Sequence, residues 1–437
     1  MIFPLVIAIL TGIFVCLSVT LKPAIKIGRK TIGTYWIVSL IGAILILSFQ
    51  LLPINYLWTR LIDSSSVNPL KILLLFFSMT FLSIFLDELG FFRFLANKLL
   101  EKKYKSQIGL FLMLYLVVSI LTIFTSNDII ILTFTPFICC FAKRAKINPL
   151  PYLFGEFFAA NTWSMCLLIG NPTNIYLATT AGISFFSYMG HMILPTIFAG
   201  GCSMALLLLL FRKSLNQPIE YSEKEELQLN KPMLYIGIVH LTLCIILLSI
   251  SSYIGLEMCY ITFGFAVSLI LISVGFLLFS KKKEKYLSRS LKRLPYELIP
   301  FLLTMFILVL ALEYAGITDQ IATILSKGNS IFTVGISSFF VSNLINNIPM
   351  SVLYGSILQS SHFAANAYLG GVYAAIIGSN IGAYFTPVGA LAGLMWMSIL
   401  KIYDVKISFK EFIKFGAIIA IPTLCFGLFG LWLVFLF

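Results

Sequence analysis

Apolar runs of about 20 residues follow one another along the chain, and a helix of that length crosses the hydrocarbon core of a bilayer. Three further apolar regions are broken by polar residues, glycine or proline, at 107–142, 152–188 and 371–399, and a re-entrant-looking region follows Lys327 to about residue 359. The pattern predicts an all-α polytopic membrane protein. Its uninterrupted runs cover residues 2–21, 34–54, 70–92, 191–211, 233–252, 258–279, 297–318 and 411–436.

The composition agrees with that prediction. Of the 437 residues, 59% are hydrophobic and 11% are charged, whereas about 25% of the residues in soluble domains are charged. The first apolar run has no basic segment before it and no clear cleavage site, so we interpret it as a span and not as a signal peptide. The net charge of +13 would suggest a nucleic-acid partner only if the positions of the basic residues along the chain were ignored.

The basic residues lie between the apolar runs. Of the 30 lysines and arginines, 27 fall in six segments, at 22–30, 93–105, 143–146, 212–231, 281–293 and 401–414. The positive-inside rule places these segments in the cytoplasm. The implied topology has ten crossings of the cell membrane with both termini outside. It makes the basic residues topology markers and lipid contacts, with no nucleic-acid partner.

This topology returns two regions to the side from which they came. Region 107–142 begins and ends inside, and its second arm from Asp128 to Ala142 would be only about 22 Å long as a helix. That length is short of a hydrocarbon core of roughly 30 Å. Region 329–359 begins and ends outside and is interrupted at "SNLINNIP". We therefore predict one hairpin that opens inward and one that opens outward.

The two halves of the chain also match in order. The first reads "FLDELGFF" (85–92), "TSNDIIILTFTP" (125–136) and "LLIGNPTN" (167–174), and the second reads "ALEYAGIT" (311–318), "VSNLINNIPMSV" (341–352) and "IIGSNIGAYFTPVG" (376–389). The match places Asp87 opposite Glu313 and Asn127 opposite Asn343. Because one half begins inside and the other outside, it predicts an inverted-topology repeat, the architecture of many secondary transporters.

The repeat divides the chain into four parts. They are an extra N-terminal span (1–30), repeat 1 with the inward hairpin 107–142 and the broken helix 152–188 (31–213), a cytoplasmic linker with an extra span (214–256), and repeat 2 with the outward hairpin 329–359 and the broken helix 371–399 (257–437). Irregular backbone at membrane depth is tolerated where it is buried in protein or lines a cavity. The hairpin tips and breaks should therefore converge on a solute site, although a single break could equally be an ordinary kink.

Five acids lie in or beside apolar segments, where a charged side chain is costly and marks a candidate functional site. Asp128 is the strongest proton-coupling candidate, because a carboxylate at a buried tip could exchange a proton near neutral pH or coordinate a cation. It could also serve only as a helix cap. Asp87 and Glu88 could instead pair with Arg93 at the membrane interface. The remaining candidates are Glu156 and Glu313.

Uncharged polar residues cluster at the tips and breaks, where their amides and hydroxyls suit a neutral polyhydroxy solute, an oxyanion or a partly dehydrated ion. The candidate substrate- or ion-binding residues are Ser126, Asn127, Asp128, Asn161, Gly170, Asn171, Pro172, Thr173, Asn174, Ser342, Asn343, Asn346, Asn347, Ser379, Asn380, Thr386 and Pro387. Cys139, Cys140 and Cys166 could attract a soft metalloid, but membrane cysteines are more often packing residues. We predict no resident metal and no cofactor. The sequence has no P-loop pattern, so an ion gradient or a separate ATPase must supply the energy.

These motifs resemble the arsenical efflux pump membrane protein family (ArsB type) of the ion transporter superfamily. The resemblance rests on "FLDELGFF", "SNDIIILTFTP", "IGNPTN", "SNLINNIPM" and "GSNIGAYFTPVGALAGLMW", and it extends from about residue 30 to the end. One stretch departs from the family's usual run of small residues: "NTWSMCLLIGNPTN" carries the bulkier Trp163 and Met165, which could reshape the pocket.

The resemblance implies a scaffold domain, a transport domain that moves like an elevator, and often a homodimer. It also implies that arsenite or antimonite leaves the cell as the neutral trihydroxide in exchange for protons, sometimes with a partner ATPase. Two alternatives use the same fold, a sodium/proton antiporter and a sodium-coupled symporter of a small carboxylate or other anion. A gated anion channel is a further alternative. We find no nucleophile–base pair or metal cluster that would suggest an enzyme.

Overall fold

The computed structural model of the protein describes residues 2–22, 24–27, 30–62, 69–91, 94, 106–218, 230–279, 285–359 and 362–436. The elements of the first half are α1 (Ile2–Leu21), β1 (Ala24–Ile27), β2 (Lys30–Gly33), α2 (Thr34–Ser48), α3 (Ile54–Ile62), α4 (Pro69–Glu88), α5 (Gln107–Phe124), α6 (Asn127–Arg144), α7 (Leu150–Trp163), α8 (Pro172–Thr180), α9 (Phe185–Leu210) and α10 (Arg212–Leu215). A 3₁₀ turn at Leu168–Gly170 separates α7 from α8.

The second half is helical in all its described parts. Its elements are α11 (Lys231–Ile254), α12 (Met258–Phe279), α13 (Tyr286–Lys292), α14 (Leu298–Tyr314), α15 (Ile317–Leu325), α16 (Ser330–Ile345), α17 (Asn347–Gln359), α18 (Ala365–Gly382), α19 (Leu391–Ile402) and α20 (Phe409–Leu436). A second 3₁₀ turn at Pro387–Gly389 separates α18 from α19.

Six described helices are long and apolar enough to cross a membrane, which supports a multi-pass membrane protein. They are α4, α5, α9, residues 231–248 of α11, α12 and α20. The pair α14 and α15, bent by 78°, makes a seventh candidate, and α1, α2 and α16 contribute shorter apolar stretches. The ten crossings expected from the basic segments stay a prediction.

The described residues are helical, as expected, apart from one small element. The described residues include a small antiparallel pair, β1 and β2, in which Ala24 lies opposite Gly33 and Ile27 opposite Lys30. The sequence shows this segment only as a basic connection between two spans. In the structure its backbone groups pair with each other, which satisfies the polar backbone groups outside the helices. The hairpin is anchored where the Gly33 amide donates to Glu297 at 2.9 Å.

The second arm of the inward hairpin is also longer than expected. Helix α6 has 18 residues, about 27 Å of helix, because it begins at Asn127 and continues to Arg144. Pro136 lies inside it. The arm therefore approaches the thickness of a hydrocarbon core, and its re-entrant character stays a prediction.

The order of elements repeats between the halves. The first series runs from α2 through α7 to the first 3₁₀ turn and continues with α8 and α9. The second series runs from α12 through α18 to the second 3₁₀ turn and continues with α19 and α20. Helices α1 and α11 lie outside both series. Gly90 and Gly316, which the sequence motifs align, have φ angles of +83° and +71° after α4 and α14. Their amides donate to the carbonyls of Asp87 and Glu313 at 2.8 and 2.9 Å. The same turn thus ends the same helix in each half.

The two halves are interleaved. Helix α2 packs against α14 of the other half, and α12 packs against α4. Helix α6 packs against α19, while α17 packs against α8. Helices α7 and α18 lie deepest, with residues 151–162 and 370–382 buried without interruption. Helices that are apolar on every side occupy such positions, so the broken helices form the centre of the molecule.

Candidate functional site

The two breaks have the same local geometry. In each, the 3₁₀ turn begins at the fifth residue after the helix ends, since α7 ends at Trp163 and α18 at Gly382. The residue after each turn is extended: Asn171 has φ −152° and ψ 141°, and Ala390 has φ −148° and ψ 155°. The next helix starts immediately afterwards. The structure therefore contains two matched interruptions, each presenting a helix N-terminus.

Glycine is required inside both turns. A Cβ at Gly170 would collide with the carbonyl oxygen of Ser164, and a Cβ at Gly389 would lie 2.7 Å from the carbonyl oxygen of Gly382. Both obstacles are backbone atoms, which cannot rotate away as a flexible side chain can. The breaks thus depend on a close approach between the turn and the last carbonyls of the preceding helix.

We expect Gly170→Ala to lower the free energy of unfolding by about 2 kcal/mol or more, because overpacking a rigid contact typically costs 1–3 kcal/mol. Thermal unfolding in detergent measures this loss. The matched control is Gly190→Ala in α9, whose new Cβ would meet no atom within 4 Å. The control should be neutral or slightly stabilising, and equal losses in the two variants would contradict the steric argument.

The first break is hydrogen-bonded to the helix that precedes the second break. Asn380 of α18 accepts from Ser164 Oγ at 2.9 Å and from Asn171 Nδ2 at 2.8 Å, and it donates to Asn174 Oδ1 at 2.8 Å. Thr173 and Ser379 share a hydroxyl bond of 2.8 Å. All these side chains are buried. The network joins residues that the sequence indicates at both breaks, and it adds Ser164.

The first tip, Ser126–Asp128, begins α6. Asn127 Nδ2 donates to Asn161 Oδ1 of α7 at 3.0 Å, but Asn127 Oδ1 and Ser126 Oγ are buried without a hydrogen-bond partner. Asp128 is partly exposed and makes no hydrogen bond or ion pair with another described residue. Its place in the first turn of α6 puts its carboxylate near the positive end of the helix dipole.

The second tip, Asn343–Asn347, contacts the second break directly. Asn343 Oδ1 accepts from the Thr386 amide at 3.0 Å and from its hydroxyl at 2.7 Å, and Asn346 Nδ2 donates to the Val388 carbonyl at 2.9 Å. Asn346 has φ +73°, a conformation that asparagine tolerates better than most residues. Asn347 Oδ1 is buried without a partner. The remaining candidates here are Ser342, bonded to Phe339 O, and Pro387, which opens the 3₁₀ turn.

The helix boundaries change the register of the repeat. Asn347, not Asn343, is the first residue of the second arm, as Asn127 is in the first half. The Ser-Asn pairs aligned Asn127 with Asn343, but α16 continues through the apolar Leu344 and Ile345 before the chain turns at Asn346. Asp128 therefore corresponds to Ile348, which packs with Leu73 and Leu302.

Three of the five candidate acids lie away from the tips and bind arginine. Arg293 contacts Asp87 at 2.8 Å and Glu88 at 2.6 Å, while Arg60 pairs with Glu313. Arg60 lies in the last turn of α3 and Arg293 directly follows α13. Each arginine thus comes from the half opposite its acid, and the two ion pairs occupy equivalent places in the order of elements. Arg93, the expected partner of Asp87 and Glu88, lies outside the described residues. Both arginines were missed because each partner is more than 200 positions away in sequence.

Glu313 has further contacts. Tyr56 donates to its Oε1 at 3.0 Å, and Ser356 of α17 donates to its Oε2 at 2.7 Å. The fifth acid, Glu156 of α7, is buried and accepts from Thr135 of α6 at 2.9 and 3.1 Å. Neither Ser356 nor Thr135 stands out in the sequence, because isolated hydroxyls are common in membrane helices.

The bulky residues of the first break do not line the asparagine network. The Trp163 indole lies on α9, where a Cβ at Gly200 would be 2.8 Å from its ring. Met165 is fully buried, and its carbonyl accepts from Tyr188 at 3.0 Å. No cysteine of the described residues forms a disulfide, and no group of three potential metal ligands occurs within the described ranges. Cys139 and Cys166 are buried, and Cys140 is half-buried.

A cavity of about 730 Å³ reaches the second break from the connection between α19 and α20. Pro387 and Val388 line it at the break, and Lys401, Asp404, Lys406 and Glu411 line it at the connection. The rest of its lining is mostly apolar and includes Leu394 and Met397. The cavity thus joins the irregular backbone of a break to a segment that is rich in lysine.

Comparison with known proteins places these features in a family. The sequence model of the citrate transporter family matches residues 29–370. The arsenical pump membrane protein of Escherichia coli (strain K12) is 27% identical over 80% of this chain and 83% of its own length. A 46 kDa membrane protein of Mycobacterium leprae is 26% identical over 84% of this chain and 86% of its own length. The arsenical pump membrane protein of Yersinia enterocolitica is 26% identical over 80% of this chain and 83% of its own length.

The two arsenical pump relatives confirm the resemblance to that family, and the matched family and these relatives are membrane transporters, not enzymes. Transport by a multi-pass membrane protein is therefore the function class of this chain. Because the family match covers most of the sequence, the chain belongs to the citrate transporter family.

Proposed function

We propose that the protein is a secondary active transporter that exports arsenite or antimonite, as the neutral trihydroxide, in exchange for protons. The observation that carries the proposal is the chemistry of the first tip. Ser126 Oγ and Asn127 Oδ1 are buried and unpartnered, and the Asp128 carboxylate has no partner among the described residues. A buried acceptor without a donor costs about 1–3 kcal/mol. A solute that brings O–H donors would recover that cost.

This chemistry favours a hydroxyl-bearing solute over a carboxylate. An anion such as citrate offers mainly acceptors, which would face Asn127 Oδ1 and the Asp128 carboxylate, two groups that cannot donate. Two arginines of the described chain, Arg60 and Arg293, are engaged by Glu313, Asp87 and Glu88. The names of several relatives point to arsenicals. The family name points to citrate, so citrate is the competitor to test.

Asp128 would couple solute movement to protons. Its carboxyl group would gain a proton on one side of the membrane and lose it on the other, while the tip would keep acceptor oxygens for the solute in both states. The alternative proton-coupling residues Asp87, Glu88 and Glu313 are held by arginine, and Glu156 is held by Thr135. Those contacts make each of the four less available than Asp128.

The proposed architecture is an inverted-topology repeat with two re-entrant hairpins in a moving transport domain. The repeated element order and the interleaved packing of the halves support it. In this arrangement the basic segments are cytoplasmic, and both termini lie on the external side of the inner membrane. The cavity between Pro387 and Glu411 would then be the cytoplasmic route to the breaks, and its mostly apolar walls suit an uncharged solute. A homodimer and a separate ATPase subunit are compatible additions.

The second candidate is a sodium/proton antiporter or a sodium-coupled symporter of a small carboxylate or other anion. Oxygen acceptors are also the ligands that hard cations prefer. The unpartnered oxygens of Ser126, Asn127 and Asn347 therefore favour this candidate as well. The two candidates differ in which ion gradient drives which solute.

Flux into liposomes that contain the purified protein tests the proposal. We expect arsenite and antimonite to accumulate when a proton gradient is imposed and to stay near equilibrium with a sodium gradient alone. Excess citrate should not compete. Protein-free liposomes are the control for passive permeation of the neutral hydroxide. Accumulation of citrate driven by sodium, with no metalloid flux, would replace this function with the second candidate.

A further inference from the structure

The repeat gives the molecule two equivalent polar positions at its centre. Asn161 and Asn380 are each the third residue from the end of their helix, α7 and α18. Each donates through Nδ2 to the carbonyl four residues earlier, at 2.8 Å to Phe157 and at 2.9 Å to Ile376. The two asparagines therefore have the same orientation in their helices, and their surroundings can be compared residue by residue.

The surroundings of Asn380 are filled by the protein itself. The first break places Asn171 after its 3₁₀ turn and Asn174 at the third position of α8, and both bind Asn380. Thr173 binds Ser379 in the same layer. Asn380 Oδ1 already accepts two hydrogen bonds, from Ser164 and Asn171. Within the described structure, each of these polar side chains already has a hydrogen-bond partner.

The surroundings of Asn161 lack those groups. At the positions equivalent to Asn171, Thr173 and Asn174, the second break carries Ala390, Ala392 and Gly393. The position equivalent to Ser379 is Ala160. In the described structure, the only side chain bonded to the Asn161 side chain is Asn127 of the first tip. Next to that bond lie the unpartnered Ser126 Oγ and Asn127 Oδ1, in residues that are 9% and 1% exposed.

The tips have diverged in the same direction. The position equivalent to the acid Asp128 is Ile348, which is held in an apolar cluster with Leu73 and Leu302. We infer that the protein has one solute pocket, formed in the first half by the tip Ser126–Asp128 with Asn161 and facing Ala390, Ala392 and Gly393, while the equivalent position around Asn380 is structural. The solute is a small molecule bearing O–H donors. This inference rests on the proposed function for the identity of the solute but not for the position of the pocket.

Two substitutions exchange the chemistry of the breaks. Ala390→Asn places in the second break the amide that the first break carries, on a backbone of nearly the same φ and ψ. We expect it to lower arsenite flux at least tenfold without lowering the unfolding temperature. Asn171→Ala should instead lower the unfolding temperature and leave the flux per folded protein within about threefold of the wild type. The opposite pattern would overturn the inference.

A second measurement does not depend on the solute. Ala160→Cys and Ser379→Cys place a thiol at equivalent positions, one beside each asparagine. Labelling with a small methanethiosulfonate, quantified by mass spectrometry beside the native cysteines, should be at least tenfold faster at Ala160→Cys. Equal or reversed rates would overturn the single pocket. If the wild type moves no metalloid but the labelling rates differ as expected, the proposed solute is wrong and the pocket stands.

Discussion

Asp128→Asn is expected to abolish proton-driven accumulation of arsenite, reducing it to the level of protein-free liposomes. The substitution keeps the shape of the side chain and an acceptor oxygen but removes the group that gains and loses a proton. Asparagine therefore resembles the protonated carboxyl group. The variant should still exchange labelled for unlabelled arsenite across the membrane with no proton gradient. The loss should appear as uncoupling, with solute binding retained.

Two observations would separate coupling from damage to the fold. Asp319→Asn removes an exposed acid from the first turn of α15 and should leave proton-driven accumulation at the wild-type level. The unfolding temperature of Asp128→Asn should stay close to that of the wild type, because Asp128 has no partner among the described residues to lose. Full pH-driven accumulation by Asp128→Asn would remove Asp128 from the mechanism and direct attention to Glu156.

Much of the fold could be predicted because apolar runs and breaks are local signals. The two breaks appear where glycine, asparagine and proline interrupt apolar sequence, and the structure has a 3₁₀ turn at each. Helices α1 and α11, predicted as extra spans, have no counterpart in the order of elements, and the division of the chain into repeats stays a prediction. The tips and breaks contain the polar residues that form the central hydrogen-bond network, so the sequence indicated most of the members of the candidate site.

The partners of these residues could not be predicted, because pairing is not local. Nothing near Asn380 in sequence indicates that it binds Asn171 and Asn174 of the other half. The register of the second tip depends on how far α16 continues, and two Ser-Asn pairs misled the alignment toward Asn343. The strand pair β1 and β2 was missed because four-residue strands leave little pattern in a basic connection. In each case the answer lies in tertiary contacts.

Arg293→Ala is expected to lower the free energy of unfolding by about 3–5 kcal/mol, the usual cost of breaking a buried ion pair by removing one partner. Arg293 holds two acids, and the side chains of Asp87 and Glu88 are only 3% and 11% exposed. Without the guanidinium group, two carboxylates would lie close together with little water around them. Equilibrium unfolding in mixed micelles, followed by tryptophan fluorescence, measures the loss.

The repeat supplies the matched control, because Arg60 makes the equivalent pair with Glu313 in a wetter place. The side chains of Arg60 and Glu313 are 36% and 24% exposed, and Glu313 would keep its bonds to Tyr56 and Ser356. Solvent screens such a pair, so Arg60→Ala should cost only about 1 kcal/mol.

Adding Asp87→Asn and Glu88→Gln to Arg293→Ala should restore most of the lost stability, because the uncompensated charges would be gone. If the two arginine variants lost equal stability, or if neutralising the acids gave no recovery, burial of the carboxylates could not be the cause. The expected difference would mean that the two equivalent ion pairs have diverged, as the two central asparagine positions have.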